Sequence, residues 1–135
     1  MGFEVLDENI VKISHESGDA YVLAASGRGC ALGDDMVQRW REVEACQHRS
    51  APQGYMNSYA QLKAEPKNRY DPNAIEILAR GEEFGHMGYI AKEQTAAVRR
   101  LAEYADVDLC DITVFMSCSD DVGFKTVRLL LIAGA

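Results

Sequence analysis

The strongest constraint on this chain is the grouping of its apolar residues, which fall in short runs separated by turn-forming residues and take helical spacing in only two stretches. Ile10, Val11 and Ile13, and then residues 21–25, flank a polar stretch at 14–19, which predicts two strands joined by a loop. Ala60, Leu62 and Ala64 alternate with Gln61, Lys63 and Glu65, a half-exposed strand that Pro66 must end. Residues 74–78 predict a strand, 80–83 a hairpin connection and 84–90 the returning strand. Gly85 and Gly88 in that last strand mark backbone able to bulge or to lie open to a ligand. Ile112, Val114 and Met116 alternate as a further strand, and residues 127–132, apolar apart from Arg128, suit a central one.

Helical spacing begins at Asp35, which can cap while Gln38 reaches back, with Met36, Val37, Trp40 and Val43 on one face; this predicts a helix to about Cys46. Trp40 at that spacing fits a core position better than a binding platform. Residues 47–58 collect turn formers and predict a long loop. Residues 92–104 lack Gly and Pro and place Ala97, Val98, Leu101 and Tyr104 along one side, the clearest helix in the chain, with Arg99 and Arg100 on a solvated face. Seven strands in hairpin-connected runs and two helices favour an α+β fold, a small curved or barrel-like antiparallel sheet with packed helices, over a doubly wound parallel sheet. A length of 135 residues suits one domain over 1–135. No apolar run approaches the ~20 residues of a membrane span, and acids stand where a secretory signal would begin, so the expected location is cytoplasmic, with no membrane partner.

Fourteen Lys and Arg against 21 Asp and Glu leave a net charge of −7, the wrong sign for holding nucleic acid by bulk attraction. The imbalance is uneven: residues 63–100 carry seven bases and six acids, so the rest of the chain holds the excess of acid. The four cysteines, Cys30, Cys46, Cys110 and Cys118, form no Cys-x-x-Cys, and His15, His48 and His86 are scattered, so zinc spacing is absent and no metal is expected. Cys46-Gln47-His48 is the one close thiol–imidazole pair. Without residues to orient the base or stabilise an oxyanion, a hydrolase built on it ranks last and no catalytic residue is assigned. The glycines at 27, 29 and 33 sit between a strand and a helix, but the third is one place late for a dinucleotide fingerprint and no βαβ unit follows, so no cofactor is expected.

The informative stretch is Glu65-Pro66-Lys67-Asn68-Arg69-Tyr70-Asp71-Pro72-Asn73-Ala74-Ile75. By turn chemistry alone, Pro66 stops a strand, Asp71-Pro72-Asn73 makes a turn, and Asn68 can bond the local backbone. The same residues put a stacking ring, Tyr70, beside an acceptor, Asp71, with Lys67 and Arg69 alongside, a cluster able to hold one end of a nucleic acid strand. Tyr89, between Gly88 and Ile90, also suits a core aromatic with its hydroxyl at the surface.

At these positions the chain resembles the HIRAN domain, whose pattern runs Glu-Pro-x-Asn-x-Tyr-Asp-x-Asn-Ala-Ile or -Val, then a hairpin into Gly-Tyr-Ile or similar, then a helix. Glu65-Pro66, Asn68, Tyr70-Asp71 and Asn73-Ala74-Ile75 match in order, as do Gly88-Tyr89-Ile90 and the stretch that begins at Lys92. The resemblance covers about residues 59–104, with 1–58 as an extension or first strands. It implies an OB-like small β-barrel which, in fork-remodelling helicases, captures the 3′ end of single-stranded DNA. HIRAN domains also occur alone in short bacterial and phage proteins, which this chain resembles. Carried over, Tyr70 would stack on the terminal base, Asp71 would accept from the 3′-hydroxyl, Asn68 belongs to the same motif, Tyr89 would line the pocket and Lys92 would contact phosphate. The family's first strand also brings a basic–aromatic pair to the pocket, for which Arg39-Trp40, Tyr55 and Tyr59 are all candidates. The resemblance therefore implies a non-catalytic module for single-stranded DNA or DNA ends. The alternative is a protein-interaction module that keeps the fold without a working pocket.

Overall fold

The computed structural model describes residues 2–7, 9–16, 18–28, 56–57, 60–79, 86–117 and 126–134. Among the described residues the strands are β1 (Gly2–Val5), β2 (Ile10–His15), β3 (Gly18–Arg28), β4 (Met56–Asn57), β5 (Ala60–Ala64), β6 (Ile75–Ala79), β7 (His86–Ile90), β8 (Thr113–Ser117) and β9 (Thr126–Gly134), with an α-helix, α1 (Thr95–Ala105), between β7 and β8. Every pairing is antiparallel, in the order β4-β8-β9-β3-β7-β6-β5. β2 lies along the first half of β3, with β1 outside it. β7 takes the far end of the same edge, pairing only with Gly27 and Arg28.

The result is an OB-like α+β fold whose sheet curls without closing into a barrel. β5 at one edge comes up against β8 and the 3₁₀ turn at Leu109–Asp111, yet no ladder joins β5 to β8 or β4 among the described residues. β9 is central as its run, apolar apart from Arg128, predicts, pairing with β3 along Ala20–Arg28 and with β8 on its other side. The core gathers Leu23, Leu62, Ile75, Ile77, Leu129 and Leu131 from the sheet against Val98 and Leu101 of α1. Among the described residues no helix is long and apolar enough to cross a membrane.

Several elements depart from the sequence expectation. The polar stretch at 14–19 is mostly ladder, with Ser14 opposite Asp19 and His15 opposite Gly18, because an outlying hairpin keeps polar residues solvated while its backbone pairs. Lys12 and Asp19 form an ion pair of 3.5 Å there. β1, four residues long and exposed along its whole length despite Phe3 and Val5, was not expected as a strand, and β4 lies inside the stretch expected to be loop. The helix expected at 92–104 opens with a 3₁₀ turn, Lys92–Gln94, and becomes α-helical at Thr95, whose hydroxyl donates to the Lys92 carbonyl at 3.1 Å. It ends at Asp106 in the left-handed region (φ 54°), where Val107 N–H reaches the Ala102 carbonyl at 3.0 Å, a Schellman-like stop with Asp in the usual glycine place. The helix expected at 35–46, with Arg39 and Trp40, the 80–83 connection, Tyr55, Tyr59, Cys46 and His48 lie outside the described residues.

Candidate nucleic-acid interface

The motif stretch is the connection between β5 and β6, and its backbone is closed on itself. Glu65 N–H donates to the Ala74 carbonyl at 3.0 Å across the mouth, Asn68 N–H to the Glu65 carbonyl at 3.0 Å, and Ala74 N–H to the Asp71 carbonyl at 3.1 Å. The last bond is the turn that Pro72 favours by its fixed φ. Side chains complete the loop. Asn68 Oδ1 accepts from the backbone N–H of both Tyr70 (2.9 Å) and Asp71 (3.0 Å), and Asp71 Oδ1 accepts from Asn73 N–H (2.9 Å). These are the local bonds for which Asn and Asp are suited. Arg99 of α1 donates from Nη1 to the Asn73 carbonyl at 2.9 Å, so the helix holds the loop from outside.

What the loop holds out is Tyr70, whose relative exposure is 87%, with the Arg69 guanidinium carbon 5.8 Å from its ring centroid. Pro66, Lys67, Arg69, Pro72 and Asn73 are also exposed, while Asp71 is half-buried. Asp71 Oδ1 is committed to Asn73; among the described residues no donor lies against Oδ2. An exposed ring thus neighbours a carboxylate in sequence, with two cationic residues, Lys67 and Arg69, just before it.

The second part of the site comes from β7. Tyr89 pairs with Glu76 and Gly88 with Ile77, but the next residue of β6, Leu78, pairs with His86, so the backbone at Met87 is the extra residue of a β-bulge. In a regular strand His86 and Tyr89, three residues apart, would face opposite sides. The bulge returns them to one face, where their ring centroids lie 5.0 Å apart at 56° and His86 Nδ1 meets Glu76 Oε2 at 2.5 Å. Tyr89 is half-buried rather than a core aromatic, and its hydroxyl sits between Glu65 Oε1, to which it donates, and Asn68 Nδ2, from which it accepts, both at 3.4 Å. These contacts are long, so they orient the phenol more than they anchor it. The Glu65 carboxylate, by hydrogen bond and by charge, together with partial desolvation and the Glu76 charge, raises the Tyr89 pKa above its ordinary value.

Asn68, Tyr70, Asp71 and Tyr89 are therefore brought into one connected cluster. The Lys92 side chain is exposed just beyond β7, and no described contact joins it to the loop. Four participants were not expected from sequence: Glu65 and Glu76, His86, and Arg99. Gly85 and Gly88 around His86 were the available signal for the bulge that turns it inward. Arg99 and Arg100 are more than a solvated face, since Arg100 Nε lies 2.6 Å from Asp7 Oδ2, close but without hydrogen-bond alignment. Away from this cluster, the exposed Asp108, Cys110 and Asp111 bring their ligand atoms within 4.8 Å of one another. Exposed groups of this kind are common on protein surfaces without an ion.

The fold and this cluster define a small OB-like module with an aromatic, acceptor-bearing loop. A profile of the HIRAN domain matches residues 42–126, extending beyond the 59–104 motif core on both sides, and the chain belongs to the HIRAN domain family. Neither a curated protein nor a solved structure matches the chain significantly.

Proposed function

We propose that this protein is a non-catalytic module that binds single-stranded DNA at its 3′-hydroxyl end. The observation that carries the reading is Tyr70, an aromatic ring 87% exposed on a loop closed by its own hydrogen bonds, next in sequence to Asp71, whose Oδ2 meets no donor among the described residues. An exposed ring on an ordered backbone stacks a base at little further cost in chain entropy. An ionised carboxylate has acceptors only, so the partner it selects is a donor such as a terminal hydroxyl. Tyr89 would form the inner wall of the pocket, Asn68 would keep the loop in shape, and Lys92 would meet a phosphate from the start of the helix.

The acidic composition, −7 over the chain, supports a second reading in which the loop engages a protein instead. A fluorescence titration with labelled single strands separates the two. The proposed function expects saturable binding of a short single strand, weaker binding of the blunt duplex of the same sequence, and no turnover of the strand. Absence of single-strand binding at low salt would leave the protein-interaction reading in its place.

A further inference from the structure

The hydrogen bonds of the site form a chain with a fixed direction. Asn68 must present its amide oxygen to the loop, because two backbone N–H groups, those of Tyr70 and Asp71, converge on it at 2.9 and 3.0 Å. Its Nδ2 group is then the end that faces Tyr89, so the phenol oxygen accepts there. The single phenolic proton is left for the other neighbour, Glu65 Oε1, and a carboxylate is the one side chain that can only receive it. Glu65 also stands at the mouth of the loop, where its backbone bonds Ala74 and Asn68. Its second oxygen, Oε2, is buried, and among the described residues no donor lies against it. A buried acceptor left unmatched costs stability, so packing alone does not account for a charged residue at this place.

We propose that Glu65 is a positioning residue of the DNA-end site: its carboxylate takes the phenolic proton of Tyr89, which leaves the phenol oxygen to accept from Asn68 Nδ2 and so steadies the amide on which the loop of Tyr70 and Asp71 closes. The effect on DNA rests on the function proposed above, whereas the chain itself is a property of the free protein. A glutamine at 65 nearly preserves size but offers an amide N–H to the phenol. The phenolic proton can then turn toward Asn68 Nδ2, donor against donor, and the outer support of the Asn68 amide is weakened.

The test uses Glu65→Gln, Tyr89→Phe and the double variant, with backbone amide exchange at residues 70 and 71 measured by NMR on the free proteins. Each single variant is expected to speed exchange at both amides by roughly tenfold, the scale of one hydrogen bond weakened. The double variant is expected to match either single one, since both cut the same chain. Amides 70 and 71 exchanging as in the wild type in Glu65→Gln, or a Glu65→Gln effect that persists in full on the Tyr89→Phe background, would overturn the proposal. If Glu65→Gln does not fold, Tyr89→Phe alone decides it, with unchanged exchange at 70 and 71 as the contradicting result. With 3′-hydroxyl strands, Glu65→Gln is expected to lose affinity roughly tenfold. Failure of the wild type to bind DNA would remove the functional reading and leave the exchange result standing, while wild-type binding that Glu65→Gln leaves intact would sink the positioning role itself.

Discussion

Tyr70 and Tyr89 are the same side chain used in two ways, and the difference lies in what touches the ring. Among the described residues the Tyr70 ring meets Arg69 and is otherwise open to solvent, so its removal should cost the fold little and the bound state much. Tyr70→Ala is expected to weaken single-strand binding by about 1–3 kcal/mol with an unchanged melting temperature, and Tyr70→Phe to keep most of the affinity, since stacking uses the ring face. A melting temperature that falls sharply in the alanine variant would mean the ring serves the fold. Tyr89 instead has its hydroxyl between Glu65 and Asn68, and the neighbouring carboxylates favour its neutral form. Its phenol, read from the difference in ultraviolet titration between wild type and Tyr89→Phe, is expected to ionise above the ordinary midpoint of about 10 and to move back toward it in Glu65→Gln. The sign for stability follows. A folded pKa above the unfolded one means that the folded state holds more protons in that interval, so this contribution is complete below pH ~10 and is lost as pH rises through the raised value. Denaturant midpoints that fell equally in wild type and Tyr89→Phe above pH 10 would contradict it.

At the scale of elements, the loop between β5 and β6 is held from three sides: its own Asx bonds, the bulged strand β7 and the helix α1. Asn68→Ala removes the acceptor for two N–H groups at once and is expected to destabilise the protein by about 1–2 kcal/mol, measured by urea unfolding. A stability loss indistinguishable from zero would mean those amides turn to water without cost. At the far end of α1, Asp106 holds a left-handed conformation that glycine adopts freely, and Asp106→Gly is expected to stabilise by ~0.5–1 kcal/mol. Loss of stability there would show that the Asp side chain does something the backbone geometry does not reveal. Much of this level is legible in sequence. The alternation in β5 and the Pro66 stop give that strand, the glycine-free run gives α1, and the polar residues of 65–74 give a turn. The unlegible part is geometric. A bulge at Met87 changes which residues share a face, so His86 could not be placed beside Tyr89 by counting, and Arg99 reads as solvent-facing until the helix is docked on the loop.

For the molecule as a whole, the proposed function asks how an acidic protein would hold a polyanion. Excess acid lies outside residues 63–100, so under the proposed function phosphate contacts would be few and local to the loop and to Lys92 before α1. Affinity for a single strand should therefore fall gently with salt, by about 0.7 in log K per log unit of salt for each phosphate contacted. A slope implying eight or more contacts would point to an extended track across the sheet. Order along the sheet was harder to read than the strands themselves, because β2 and β7 share one edge of β3, a branching that no local pattern announces.

Recognition of the strand's end is the claim on which the account stands, and Asp71 is the residue that makes it specific. An ionised carboxylate accepts from a terminal hydroxyl through a charge-assisted bond. A 3′-phosphate removes that donor and brings like charge close, a repulsion on the order of several kcal/mol at an effective dielectric of about 20 before screening. The direct measurement is the affinity of one short single strand bearing a 3′-hydroxyl against the same strand bearing a 3′-phosphate, in wild type and in Asp71→Asn. The account predicts tighter binding of the hydroxyl form by the wild type and a narrower gap in Asp71→Asn. Equal affinity of the wild type for both strands would contradict it.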